Sequence, residues 1–344
     1  MKTNNIQGIV FLVALLSMNC SDAFAQLSKV GTTAADFLNM PLGARSSSMS
    51  AYTATVNDPS ATLLNPAGLT DMTRNSLLIE HTDWFMDMNH SFLGAAIPTG
   101  KGVWGVHILA MNYGEFEETT AEAQGKTGRT FGAYSASFGL SYGRELTSNL
   151  SVGATVRRVH EQIWNSSAST TLFDVGTLYR TPIPNVTFGV SVTNVGGTFQ
   201  MTGNDLIIGS DPDDSQEGNY NPDAVLYTDK YAAPLVLRVG LEWDIQELFG
   251  NQSTNLTLTA DGIAPSNNLQ SVSVGAELSL LQEVVYVRGG LPTIGLRDAT
   301  QTFNFGLALQ APEDLMPFSL QIGYAYHGYD YLPRVSKLSL LIDF

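Results

Sequence analysis

Five histidines are the first residues in this chain that could do chemistry: His81, His90, His107, His160 and His327. Each falls on a different stretch, and none stands at the short spacing by which two imidazoles share one metal ion, so no metal site is expected. His90 is followed directly by Ser91. A histidine activates a serine only when both side chains reach one face, and neighbours along an extended chain project to opposite faces. No nucleophile, base and orienting group can be assembled, so neither catalysis nor a cofactor is expected. Asp211-Pro212-Asp213-Asp214 with Glu217 offers the carboxylate oxygens that calcium takes, without EF-hand spacing. A solvated acidic loop is the other reading.

The stretches that carry these residues alternate. Tyr134, Ala136, Phe138, Leu140 and Tyr142 interleave with Ser135, Ser137, Gly139, Ser141 and Gly143. Leu235, Leu237, Val239, Leu241 and Trp243 interleave with Arg238, Gly240, Glu242 and Asp244, and Phe303 to Gln310 repeats the pattern. A helix would scatter these sets around its circumference; only a period of two sorts them. Arg157, Arg238, Arg288, Glu242, Asp261 and Glu277 all fall on the polar parity. An arginine facing lipid at the midplane would cost about 2–4 kcal/mol, so this parity is that of a lumen. There the charges either pair across strands or line a polar path.

Fourteen such runs begin near residues 76, 89, 102, 130, 149, 170, 185, 234, 254, 271, 283, 301, 316 and 334, which predicts an all-β, fourteen-stranded antiparallel transmembrane barrel over 74–344. Loop lengths separate this from a soluble sandwich. Even-numbered connections are short, as at Pro98–Lys101, Leu146–Ser148 and Leu281–Gln282. The long segments, Gly114–Gly128 and Gly196–Ala232, are odd-numbered. Short turns on one side and long loops on the other are the outer-membrane pattern, with both termini expected in the periplasm.

The first residues fit export. Lys2, the apolar run Ile9–Leu16 and the small-x-small tripeptide Ala23-Phe24-Ala25 predict a signal peptide over 1–25 and a mature start at Gln26. The one cysteine, Cys20, lacks the small residue that a lipobox places before it and leaves with the signal. Charged residues are 14% of the chain, below the ~25% of globular proteins, and the net charge of −15 excludes a general nucleic-acid or anionic-lipid binder.

Residues 26–73 do not alternate. They are rich in small residues and read as helical turns and loops, too short for a core of their own. They are expected inside the barrel or across its periplasmic mouth, as a plug. Gly105, Gly139, Gly153, Gly176, Gly189, Gly240, Gly275, Gly306 and Gly323 lie on the lumen parity, about one per strand. Such glycines either admit a second backbone close to the wall or ease barrel curvature.

Within that segment Leu42-Gly43-Ala44-Arg45, Met49, the alanines from Ala51 to Ala54, Asp58, Ala61 and Asn65-Pro66-Ala67-Gly68-Leu69 resemble the N-terminal signature of the PorV/PorQ family, in the FadL-like group of outer-membrane barrels. The family commonly has glycines after the methionine, where this chain has Ser50-Ala51. Leu64 replaces a frequent aromatic before the asparagine. The alternating Leu338, Leu340, Ile342 and final Phe344 are similar to the signal read by the barrel-assembly machinery.

The resemblance implies a fourteen-stranded barrel with a filled lumen and a non-enzymatic role in type IX protein secretion of the Bacteroidetes. The implied partners are the translocon, an attachment complex and the C-terminal sorting domains of cargo, besides the lipid bilayer. The alternative is a FadL-like transporter of small hydrophobic solutes. The external loops read as polar and acidic, without an apolar pocket, which favours the interaction role.

Overall fold

The computed structural model describes residues 29–120, 125–210, 222–245, 254–296, 299–312 and 316–344. The signal segment and the acidic run Asp211 to Glu217 lie outside them. Among these residues the wall is built from β1 (Ser76–Asp83), β2 (Asn89–Thr99), β3 (Gly102–Thr120), β4 (Gly125–Thr147), β5 (Leu150–Ile163), β6 (Ser166–Arg180) and β7 (Val186–Gly196). It continues with β8 (Val236–Ile245), β9 (Asn255–Pro265), β10 (Ser271–Leu280), β11 (Val285–Ile294), β12 (Gln301–Gln310), β13 (Ser319–Tyr329) and β14 (Val335–Asp343). Each pairs antiparallel with the next, and β1 pairs with β14 from Ser76↔Asp343 to Asp83↔Ser336. The sheet is therefore a closed fourteen-stranded barrel with no free edge, as backbone in hydrocarbon requires.

Side-chain alternation follows the expected parity. On β4, Ser135, Ser137 and Ser141 are buried while Tyr134, Phe138 and Leu140 are exposed. Trp104 and Tyr142 lie against each other at the short-turn end, with ring centres 4.7 Å apart. At the long-loop end Phe116, Phe131 and Trp164 stack, at 5.6 and 5.3 Å. Tyr134 and Tyr142 are eight residues apart on β4, roughly 27 Å of strand. At a tilt near 40° that is about 20 Å of height, close to the ~25 Å apolar band of such barrels.

One expectation needs correction. Gly114–Gly128 is not a loop: β3 and β4 continue through it, paired as far as Thr120↔Gly125. Above the lipid both faces of the hairpin meet water, so the ladder persists without the alternation that would reveal it. The ends of the described chain also lie at opposite mouths. The Phe344 N–H donates to the Asn75 carbonyl at the short-turn end, whereas the Ala34 N–H donates to the Ala232 carbonyl of the long loop.

That long loop, between β7 and β8, is folded. Thr198–Gln200 pairs with Lys230–Ala232, Ile207–Gly209 pairs with Asp223–Val225, and Thr202–Gly203 docks on β6. It sends Phe199 into the core beside Phe37 and exposes Ile207, Ile208, Val225 and Tyr227. The loop is thus less uniformly polar than its composition suggested.

Candidate functional site

Residues 29–72 fill the lumen, and almost every signature residue fastens them there. Two short helices, α1 (Ala44–Met49) and α2 (Ala61–Leu64), are joined by turns and followed by the 3-10 turn Pro66–Asp71. Gly43 precedes α1 at φ +76°, a left-handed conformation open to glycine. The Asp58 carboxylate accepts from the Ser60 N–H at 2.8 Å and fixes the entry to α2. The Asn65 side chain accepts from the Ala67 N–H at 3.2 Å, with Pro66 in the first helical position, where it has no donor to lose. Its amide donates to the Thr53 carbonyl at 2.7 Å.

The wall glycines are shaped to these turns. A Cβ at Gly153 would overlap the Pro66–Ala67 peptide, one at Gly176 the Asn65 side chain, and one at Gly189 the Thr53–Ala54 backbone. Gly275 and Gly290 both face the Met49 carbonyl, Gly306 faces Ser48, and Gly105 faces Thr62 and Leu69. Of the two readings of these glycines, close backbone approach holds at Gly153, Gly189 and Gly275, while Gly105, Gly176 and Gly306 make room for plug side chains. Gly139 is an exception, since His107 of the adjoining strand covers it, and the nearest neighbour of Gly323 is Ser339. Gly68 serves within the plug, against the Val56 carbonyl, and Leu69 and Ala67 are wholly buried.

Buried charges complete the attachment. Arg45 binds Glu277 of β10 through Nη2 at 2.9 Å and Nε at 3.0 Å, and donates to the Thr55 carbonyl at 2.7 Å. Arg288 of β11 shares the same carboxylate at 2.5 Å. Burial alone would lower the Arg45 pKa; the Glu277 carboxylate more than reverses this, and the guanidinium is held above its ordinary value. Asp261 of β9 accepts from the Tyr52 and Thr53 N–H groups at 2.9 and 3.0 Å and from the Thr53 hydroxyl at 2.7 Å. Lys337 of β14 pairs with Glu80 of β1 at 3.1 Å and donates to the Pro41 carbonyl. Arg157 pairs with Asp174 at 2.9 Å, and Asn194 reaches both that carboxylate and Asn39. These lumen charges therefore pair across strands and with the plug, rather than lining an open path.

Lys337, Glu80, Asp174 and Asn194 were not singled out in the sequence. A signal for Lys337 was there: it stands on the opposite parity to Leu338 and Leu340, and so faces inward. Leu338, Leu340, Ile342 and Phe344 face outward, with Leu338 and Phe344 well exposed. His90, His107 and His327 are buried on separate strands, and no group of residues able to hold a metal occurs among the described residues.

A void of about 10 Å³ lies between the Leu38–Leu42 segment and α2. Leu38, Met40, Leu42, Leu63, Leu64 and Leu109 make its apolar lining. Arg157 and Arg238 enter from the wall. Arg238 lies over the Tyr52 ring at 5.5 Å, and the Nε atoms of both arginines are buried without an acceptor among the described residues. The void is on the scale of one water molecule.

No protein-family model and no curated protein matches this sequence. Solved structures do. The Pseudomonas putida toluene transporter TodX superposes with a TM-score of 0.55 at 12% identity, over 88% of this chain and 96% of that one. The deltaS2 mutant of the TodX monoaromatic hydrocarbon channel gives 0.50 at 12% identity, over 88% and 99%. The chain has the fold of an outer-membrane channel of the FadL/TodX kind. At such identities the likeness speaks for the fold alone.

Proposed function

We propose that this protein is an outer-membrane channel that passes small hydrophobic solutes through a gated lumen and catalyses no reaction. The observation that carries the reading is the small void, with leucine and methionine side chains on its plug side and polar groups from the wall, between two parts of the plug. Residues 43–72 are fixed by Arg45–Glu277–Arg288, by Asp261 and by the glycine recesses. Residues 29–42 have the Ala34–Ala232, Asn39–Asn194 and Lys337–Pro41 contacts, the Asn267 amide donating to Thr33 and Asp36, and the apolar seat of Phe37, without a buried ion pair of their own among the described residues. Displacement of the upper segment would open the void toward the long loop while the lower plug stays seated. The likeness to a toluene transporter supports the same reading.

The direct test is uptake of a monoaromatic hydrocarbon into proteoliposomes, where a rate above that of protein-free vesicles is expected. An unchanged rate would overturn the proposal. A role in type IX secretion is the second reading, favoured by the likeness to the PorV/PorQ signature. That signature is accounted for by plug docking, however, and any barrel carrying this plug would need it. Capture of proteins bearing type IX sorting domains, with no solute uptake, would decide for the second reading.

A further inference from the structure

The inward parity of β7 breaks at one place. Ser191 and Thr193 are buried toward the lumen, as alternation requires, but Asn194 is buried there too, and Val195 turns outward. Register gives the cause. Phe173 of β6 pairs with Val195 and Val175 with Val192, so Thr193 and Asn194 together stand opposite Asp174. This is a β-bulge, one extra residue on one strand. Asn194 takes the left-handed conformation at φ +64°, which asparagine is among the few residues to accept. In a regular strand its side chain would point outward, on the side of the exposed Phe173 and Val175.

Turned inward, one residue joins four elements. The Asn194 N–H donates to the Asp174 carboxylate of β6 at 2.6 Å. The side-chain oxygen accepts from Arg157 of β5, which Asp174 also holds at 2.9 Å. The side-chain nitrogen donates to the Pro234 carbonyl ahead of β8 at 2.8 Å, and to the Asn39 side chain of the upper plug at 3.3 Å. Arg157, Asp174 and Asn194 are all buried, and Arg157, Asn194 and Asn39 border the void.

We propose that the β7 bulge makes Asn194 the latch of the upper plug segment, holding Asn39, and with it residues 29–42, over the void. A bulge disrupts the ladder and bends its strand, and re-aiming this one side chain into the lumen accounts for it. The two sides of the joint are unequal. On the wall side a carboxylate, a guanidinium and a carbonyl fix the Asn194 amide; on the plug side there is a single bond of 3.3 Å, the longest of the set. The joint therefore parts at Asn39 and leaves the wall network whole. Asn267 holds Thr33 and Asp36, and Lys337 holds the Pro41 carbonyl; Asn39 is the anchor between them that borders the void. The effect on uptake rests on the channel reading, and the latch itself does not.

Two variants cut the same bond from opposite sides. N194G keeps the left-handed backbone, which glycine adopts freely, and removes only the amide. N39A leaves the wall network untouched. The test is chymotrypsin cleavage after Phe37 in the full chain reconstituted in vesicles, read together with toluene uptake. Each variant is expected to speed that cleavage roughly tenfold, about 1.4 kcal/mol, and to raise uptake, with cleavage within residues 43–72 unchanged. The double variant is expected to match the faster single one, because both remove one interaction. Wild-type cleavage rates in both variants would overturn the proposal, as would effects that multiply in the double variant. A lower unfolding temperature without faster cleavage at Phe37 would mark the bulge as merely structural and overturn it as well. Faster cleavage in the variants of a protein that takes up no toluene would uphold the latch and sink the channel reading alone.

Discussion

Glu277 illustrates what single residues do in this lumen, because one carboxylate serves two guanidiniums. Replacing it with glutamine leaves Arg45 and Arg288 facing each other without the carboxylate they share. Breaking a buried pair in this way costs about 3–5 kcal/mol. E277Q is therefore expected to loosen the lower plug, detected as faster proteolysis of residues 43–72 in reconstituted vesicles. Protection equal to wild type would mean that the other anchors suffice. The glycines give a second, sharper test. Leucine at Gly153 and Gly275 must displace plug backbone, at about 1–3 kcal/mol each, and is expected to raise conductance in planar bilayers. Leucine at Gly139 meets the His107 ring instead and should leave the plug in place. Equal effects at all three positions would reduce these residues to curvature devices.

Among the elements, the strands were legible and the plug only partly so. A strand between lipid and lumen must alternate, which is why the starts at 76, 89, 102, 271 and 301 are where the pattern places them. The upper parts of β3 and β4 were hidden because no lipid contacts them. The plug has no period, and its location could be read only from its negative image in Gly153, Gly176, Gly189 and Gly275. Which parts of it can move was not legible, since that depends on partners such as Asp174, Asn194 and Lys337. A staple tests this division. The Ala44 Cβ lies 3.3 Å from where a Gly323 Cβ would stand, near the Cβ separation of a disulfide. A44C/G323C is expected to lock the lower plug and leave hydrocarbon uptake within roughly twofold of wild type. Loss of uptake that returns on reduction would instead show that α1 itself must leave.

At the scale of the whole molecule, closure depends on the last strand finding the first. The β1–β14 seam joins Ser76 to Asp343 by a hydroxyl–carboxylate bond of 2.6 Å, buries Lys337 against Glu80, and leaves Leu338 and Phe344 facing out. Phe344 is well exposed, and its one recorded backbone bond runs to Asn75. Little of the folded barrel's stability can reside in a side chain this exposed. On the assembly-signal reading of Leu338, Leu340, Ile342 and Phe344, this outward row is what an assembly factor would read before the seam closes. Deletion of Phe344 is therefore expected to lower the amount of protein in the outer membrane severalfold, while the protein that does insert keeps wild-type heat-modifiable migration. A matching fall in the unfolding temperature of inserted protein would point to a packing role. Unchanged membrane levels would remove the assembly reading of the terminal row.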